Sequence, residues 1–271
     1  MSAPAEAGLV VDELCVSYGG LMAVDGVSLK APPGRLTGLI GPNGAGKTTT
    51  FNACSGLVKA NGGTIRLKGR DVTGSSPQRR ASLGLGRTFQ RMELFDSLTV
   101  RANVALGREA VLAGTRPWRY FWSTGSESKK CRRAADDALA LCGIEHLQDR
   151  RPTELSTGQR RLVELARSIA GDFTTLLLDE PSSGLDRTET IAFGSILQRL
   201  AEGGKGILLV EHDMALVMRV CDYIYVLDFG KPIFEGTASE VGGSEVVRAA
   251  YLGAADLGVR ADGHTSEIIA S

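Results

Sequence analysis

Apolar residues recur along this chain with two periods. Short apolar or alternating runs bounded by turn residues predict strands over 9–17, 27–30 and 64–68, with Pro32-Pro33-Gly34 and Gly62-Gly63 as turns. These read as an antiparallel layer. Leu36 to Ile40 is a short apolar run that predicts a buried strand. Residues 47–57 predict a helix ended near Gly56, although Thr48, Thr49 and Thr50 are weak helix formers whose turn needs tertiary support. From 97 to 171 the pattern is mostly helical. One helix over 130–142 stops at Gly143 with Ile144 after it, as a left-handed cap does. Another, over 160–170, places Leu162, Leu165, Ala166 and Ile169 in one stripe, turns Arg160, Arg161, Glu164 and Arg167 outward, and ends at Gly171. Strands return at 175–178, 207–210 and 223–227. Between the first two, Phe193, Ile196, Leu197 and Leu200 fall at helical spacing before Gly203-Gly204. Strands alternating with helices predict an α/β fold with a mainly parallel sheet covered on both faces. The segment after Gly253 is small and polar and is read as a loose tail.

Composition narrows the class without changing this picture. The chain has 271 residues, 43% hydrophobic and 23% charged, ordinary for a globular protein with its own core. Lys plus Arg and Asp plus Glu are 31 each, so the balance offers no footprint of a nucleic-acid binder. No apolar run approaches the roughly 20 residues of a membrane span. Met1 to Gly8 lacks a basic patch followed by an apolar core, so no secretory leader is expected. Five scattered cysteines without a CxxC pair read as free thiols in a reducing compartment.

Gly41-Pro42-Asn43-Gly44-Ala45-Gly46-Lys47-Thr48 follows the strand ending at Ile40 and opens the helix at 47. Triphosphate oxygens need several donors converging from one side. Glycines at 41, 44 and 46 let the backbone wrap closely, and the helix start adds its dipole. Lys47 supplies a full charge, the Thr48 hydroxyl suits Mg²⁺, and Thr49 continues the loop. Downstream, Leu176-Leu177-Leu178 delivers Asp179 and Glu180 at a strand's C-terminal end, where open α/β sheets bind ligands. Asp179 is placed for the Mg²⁺ shell, and Glu180 to polarise a water at the γ-phosphate.

With Leu155-Ser156-Thr157-Gly158-Gln159, these motifs resemble the nucleotide-binding subunit of ABC transporters, whose signature is usually LSGGQ. The likeness spans about residues 9–253, leaving 254–271 as a flexible tail. It implies a P-loop NTPase cassette of ABC type, with a mainly parallel core sheet, an antiparallel β layer and a helical subdomain at about 97–171. It also implies ATP and Mg²⁺ as ligands. Ser156, Thr157, Gly158 and Gln159 would face the γ-phosphate held by a second, like or unlike, subunit, with Thr157 standing where glycine is usual. Gln90 matches the glutamine loop that reaches Mg²⁺, His212 the switch histidine, Ser183-Gly184-Leu185-Asp186 the loop that couples the two sites, and Tyr18 the aromatic that stacks on adenine. Permease subunits, an extracytoplasmic solute-binding protein acting indirectly, and a peripheral place on the cytoplasmic membrane face follow from the same likeness.

Gly86-Arg87-Thr88-Phe89-Gln90, Glu211-His212-Asp213-Met214, Val226-Leu227-Asp228-Phe229-Gly230-Lys231 and Tyr251-Leu252-Gly253 are similar to the branched-chain and hydrophobic amino acid uptake branch. The competing readings are the cassette of a lipid or lipopolysaccharide exporter and a non-transport ABC ATPase. Two weaker signals remain. Trp118, Tyr120, Phe121 and Trp122 read as packing of an inserted loop, with permease or headgroup contact as the alternative. Lys129-Lys130-Cys131-Arg132-Arg133 reads as a solvated helix start, with Arg132 and Arg133 four residues before Asp136 and Asp137.

Overall fold

Successive side chains of a strand point to opposite faces, and here both faces of the central sheet are covered. The computed structural model describes residues 8–88, 94–115 and 125–251. Gln90, the Trp118–Trp122 cluster and the segment 254–271 lie outside the described residues.

In chain order the elements begin with β1 (Leu9–Tyr18), β2 (Leu21–Ala31), β3 (Leu36–Ile40), α1 (Lys47–Ser55), β4 (Gly62–Leu67) and β5 (Arg70–Asp71). There follow α2 (Pro77–Ser82), β6 (Leu85–Arg87), α3 (Val100–Thr115), α4 (Gly125–Cys142), α5 (Thr157–Ala170) and β7 (Thr175–Asp179). The chain then runs through α6 (Arg187–Glu202), β8 (Gly206–Val210), α7 (Met214–Val220), β9 (Tyr223–Asp228), β10 (Lys231–Gly236) and α8 (Ala238–Gly243). Residues 245–251 are again helical.

Among the described residues the strands make two sheets. One is antiparallel, in the order β2-β1-β4-β5. The other runs β10-β9-β3-β8-β7-β6, parallel throughout except for β10, which returns antiparallel to β9. Alternation assigns the side chains of this second sheet to two cores. Leu39, Leu177, Leu208, Val210 and Leu227 meet Phe51 of α1 and the inner residues of the antiparallel sheet. Ile40, Leu176, Leu178, Leu209 and Val226 meet Phe193 and Leu197 of α6 and Val163 of α5. Helices α3, α4 and α5 pack on one another beside this second core.

Several expectations shift. The second strand is longer than 27–30, and β6, β10, α2 and α8 add to the expected elements. β6 is only three residues with Gly86 at its centre. That glycine is there for space, since an added Cβ would stand 2.4 Å from Phe173 Cδ2. The helix expected over 160–170 starts earlier, at Thr157. Its polar face is not all outward. Arg161 and Glu164 are 8% and 5% exposed and pair at 3.3 Å, because α5 is covered on more than its apolar stripe and opposite charges can be buried together. Of the stripe itself, Leu165 and Ala166 are buried, while Leu162 and Ile169 are half-buried. On α4, Asp136 meets Arg101 of α3 at 2.8 Å, a partner from another helix rather than Arg132 on its own. Gly143 does take the left-handed conformation (φ 69°), and the Ile144 amide donates to the Leu139 carbonyl at 3.1 Å.

Candidate functional site

The strand order β9-β3-β8-β7 sets the C-terminal ends of β3, β8 and β7 side by side, and the loop after each carries a sequence-predicted residue. Residues 41–46 leave β3 and wrap back to open α1. Gly41 has φ 150°, and a Cβ there would stand 2.1 Å from the Leu227 carbonyl oxygen. Gly46 has φ 93°, and its Cβ would stand 2.6 Å from the Ala23 carbonyl oxygen. Gly44 has open space around it but φ 83°, so conformation alone demands glycine there. Lys47 Nζ donates to the carbonyls of Gly41 (2.6 Å) and Pro42 (2.9 Å) and so ties the loop across its mouth. No side chain caps α1 at Gly46, which leaves the helix's first amides for another acceptor. Burial lowers the Lys47 pKa, against the opposing pull of Glu180 and Asp179.

The back of α1 is closed by a residue with no motif to mark it in the sequence. Arg80, 1% exposed, donates Nη1 to the carbonyls of Ala53 (2.6 Å) and Cys54 (2.7 Å). Its Nη2 reaches the Thr73 carbonyl (3.0 Å) and its Nε the Ser75 carbonyl (3.1 Å). A cation at a helix C-terminus satisfies carbonyls and complements the dipole together.

Asp179 ends β7 and is buried. Burial raises its pKa; the Arg87 guanidinium lowers it, Glu180 and Glu211 raise it, and Lys47 lowers it. Glu180 follows in a left-handed backbone conformation (φ 46°), unusual for a residue with a Cβ and stored strain of the kind found at functional positions. Its amide donates to the Val210 carbonyl at 2.8 Å, and its Oε1 lies 3.8 Å from His212 Nδ1. Glu211, buried between these motifs, enters the sequence reading only through a family likeness. Its Oε1 accepts from the Ser182 amide (2.8 Å) and its Oε2 from the His212 amide (3.3 Å), so one carboxylate binds the loop after β7 to the loop after β8.

Ser156 to Gln159 open α5. Ser156 Oγ accepts from the Gln159 amide (3.2 Å), and Gln159 Oε1 accepts from the Ser156 amide (3.0 Å), a reciprocal capping box. Their further contacts run to the 183–189 segment. A Cβ on Gly158 would stand 2.3 Å from Glu189 Oε1, and one on Gly184 would stand 3.1 Å from Thr157 Cγ2. Asp186 caps α6 in a second box with Glu189. Tyr18 sits apart at the end of β1, 51% exposed, beside the cleft formed with residues 57–61. Tyr251, on the last described turn, helps line the cavity over Gly41, Asn43, Gly44 and His212.

The described cysteines are all free, and burial pushes the thiols of Cys54, Cys142 and Cys221 up to about 12. No helix among the described residues is long and apolar enough to cross a membrane.

The family model described as ABC transporter matches residues 24–183. The high-affinity branched-chain amino acid transport ATP-binding protein LivG of Salmonella typhimurium is 38% identical over 251 residues, covering 91% of this chain and 98% of LivG. BraF of Pseudomonas aeruginosa, similarly described, is 36% identical over the same shares. A crystal structure of an ABC transporter's ATP-binding cassette in its ADP conformation superposes with a TM-score of 0.80 at 28% identity, over 91% of this chain and 98% of that one. A glycine loop tied by its lysine, an acidic strand end and a histidine loop thus meet in a chain that belongs to the ATP-binding subunits of ABC transporters and is an ATPase of that family.

Proposed function

We propose that this ATPase drives an importer of branched-chain or other hydrophobic amino acids, working with transmembrane permease subunits, a second ATP-binding subunit and, indirectly, an extracytoplasmic solute-binding protein at the cytoplasmic face of the membrane. The observation that carries the reading is likeness to LivG and BraF over 98% of their length.

The loop 41–46 and the uncapped start of α1 bind the β- and γ-phosphates, with Lys47 adding its charge. Thr48 and Asp179 suit Mg²⁺. Their donors are a hydroxyl and a buried carboxylate, hard oxygens both, as a hard divalent cation prefers. No group of three or more His, Cys, Asp or Glu is gathered among the described residues, and an ion held through one carboxylate, phosphate oxygens and water needs no such cage. When bound, Mg²⁺ neutralises charge developing on the phosphates. Gln90 belongs to the same shell by family likeness. Glu180 orients or deprotonates the attacking water, and His212, beside it, senses the γ-phosphate. Tyr18 stacks on adenine.

Ser156, Thr157 and Gly158 of the second subunit complete the site. The capping box occupies the Ser156 and Gln159 amides and neither of the two between them, and a serine oxygen that accepts there still has its proton to donate. The Thr157 and Gly158 amides, in the first turn, have no intrahelical partner. Thr157 therefore serves in glycine's place through its backbone, and the 183–186 loop, touching Thr157 through Gly184, couples the two sites.

Uptake by the transporter reconstituted in vesicles tests the cargo. Radiolabelled leucine, isoleucine or valine should enter only with ATP and this subunit. ATP-dependent movement of a lipid, with no amino acid uptake, would replace the reading.

A further inference from the structure

Arg87 joins three parts of the nucleotide site. It ends β6, paired with Leu177 of β7. Its guanidinium carbon lies 4.6 Å from the centre of the Phe51 ring. Nη1 donates to Ser55 Oγ at 2.5 Å, and Nη2 is 3.9 Å from Asp179 Oδ2. Phe51 and Ser55 belong to α1, whose first residues are Lys47 and Thr48. The neighbouring Thr88 reinforces the link. Its amide donates to the Leu177 carbonyl at 2.9 Å, and its Oγ1 accepts from the Asp179 amide at 3.4 Å. A planar guanidinium can stack on a ring, bond a hydroxyl and face a carboxylate at once; an ammonium is a point charge and cannot.

We propose that Arg87 is a positioning residue that fixes α1, and with it Thr48, relative to Asp179, by engaging one carboxylate oxygen and leaving the other for the ion. This rests on the reading that Thr48 and Asp179 hold Mg²⁺. The loop amides and Lys47 grip phosphate without Asp179, so Arg87 acts on the metal-dependent part of nucleotide binding and not on the rest.

The test is binding of a fluorescent ATP analogue to the full chain, in excess Mg²⁺ and in EDTA. Wild type should gain affinity with Mg²⁺. In Arg87→Met the affinity in EDTA should stay within about twofold of wild type, while the gain from Mg²⁺ falls by about 10–100-fold, the usual cost of losing a residue that orients a metal ligand. Ser55→Ala removes one tie and keeps the charge, so it should shift the gain in the same direction by less. Arg87→Lys should restore only part of it. Should Arg87→Met fail to fold, the other two variants decide. Equal losses in Mg²⁺ and EDTA, or an unchanged gain, would overturn the proposal. A wild type with no gain from Mg²⁺ would instead overturn the metal assignment, and the inference with it.

Discussion

Two helices of this protein start at glycine-bearing motifs, and they start differently. α1 opens at Gly46 with no side-chain cap and a lysine tied across the loop; its far end is closed by Gly56 and Arg80. α5 opens at Ser156 inside a closed capping box and packs its second residue, Gly158, against Glu189. The first start leaves its amides to an external acceptor and surrounds them with charge. The second closes its Ser156 and Gln159 amides in the capping box and leaves those of Thr157 and Gly158 without an intrahelical partner. On the proposed function, the contrast lets two glycine-bearing motifs share the handling of one nucleotide: α1 would bind it within its own chain, and α5 would offer donors to nucleotide bound by a second subunit.

The comparison can be broken at several points, and the largest effect belongs to the chemical step. Glu180→Gln should reduce phosphate release by about 10²–10⁴-fold, the range for a positioned general base, while equilibrium nucleotide binding persists. Turnover near wild type would remove Glu180 from its role. Next is Gly158→Ala. The new Cβ meets the Glu189 carboxylate, which the Asp186 amide holds, so the second capping box or the edge of α5 must give. Where α5 gives, hydrolysis should fall about 10²–10³-fold, as when a preorganised donor is lost. Binding to an isolated chain should not change; weaker binding there would mean that α5 serves its own chain's nucleotide.

Stability sharpens the contrast further. Arg80→Met strips a cation from four backbone carbonyls and should cost about 3 kcal/mol in denaturant unfolding, given roughly 1–3 kcal/mol for each buried group left unsatisfied and partial relaxation. A cost under about 1 kcal/mol would show that α1 does not depend on that closure. The smallest effect is at the α5 cap. Ser156→Ala should lose about 1 kcal/mol of stability. Gly46 contributes no side-chain cap, so nothing comparable can be removed from α1.

Much of this is legible in the sequence because it depends on local rules. The glycines at 41, 44 and 46 are read from the backbone they must adopt, and the apolar strands from their runs between turns. Three capping boxes, Ser156 with Gln159, Asp186 with Glu189 and Thr237 with Glu240, are present in the spacing of a short oxygen-bearing residue and a Glu or Gln three places on. Read that way, Ser156 alone would put the α5 start at Thr157. What stays hidden depends on partners distant in sequence. Arg161 and Glu164 look like a solvated face until each neutralises the other. Arg80 is an ordinary surface residue by type, and only the fold carries the carbonyls of 53, 54, 73 and 75 to it. Glu211 and Arg87 sit inside motifs read by likeness, with no local signal for the groups they join.

The division of labour between α1 and α5 is tested most directly by ATP turnover per subunit across a dilution series, with the association state followed by sedimentation at the same concentrations and saturating ATP. Turnover should rise with the fraction of paired subunits and vanish as pairing is lost. Undiminished turnover at dilutions where every subunit sediments as a monomer would contradict the account.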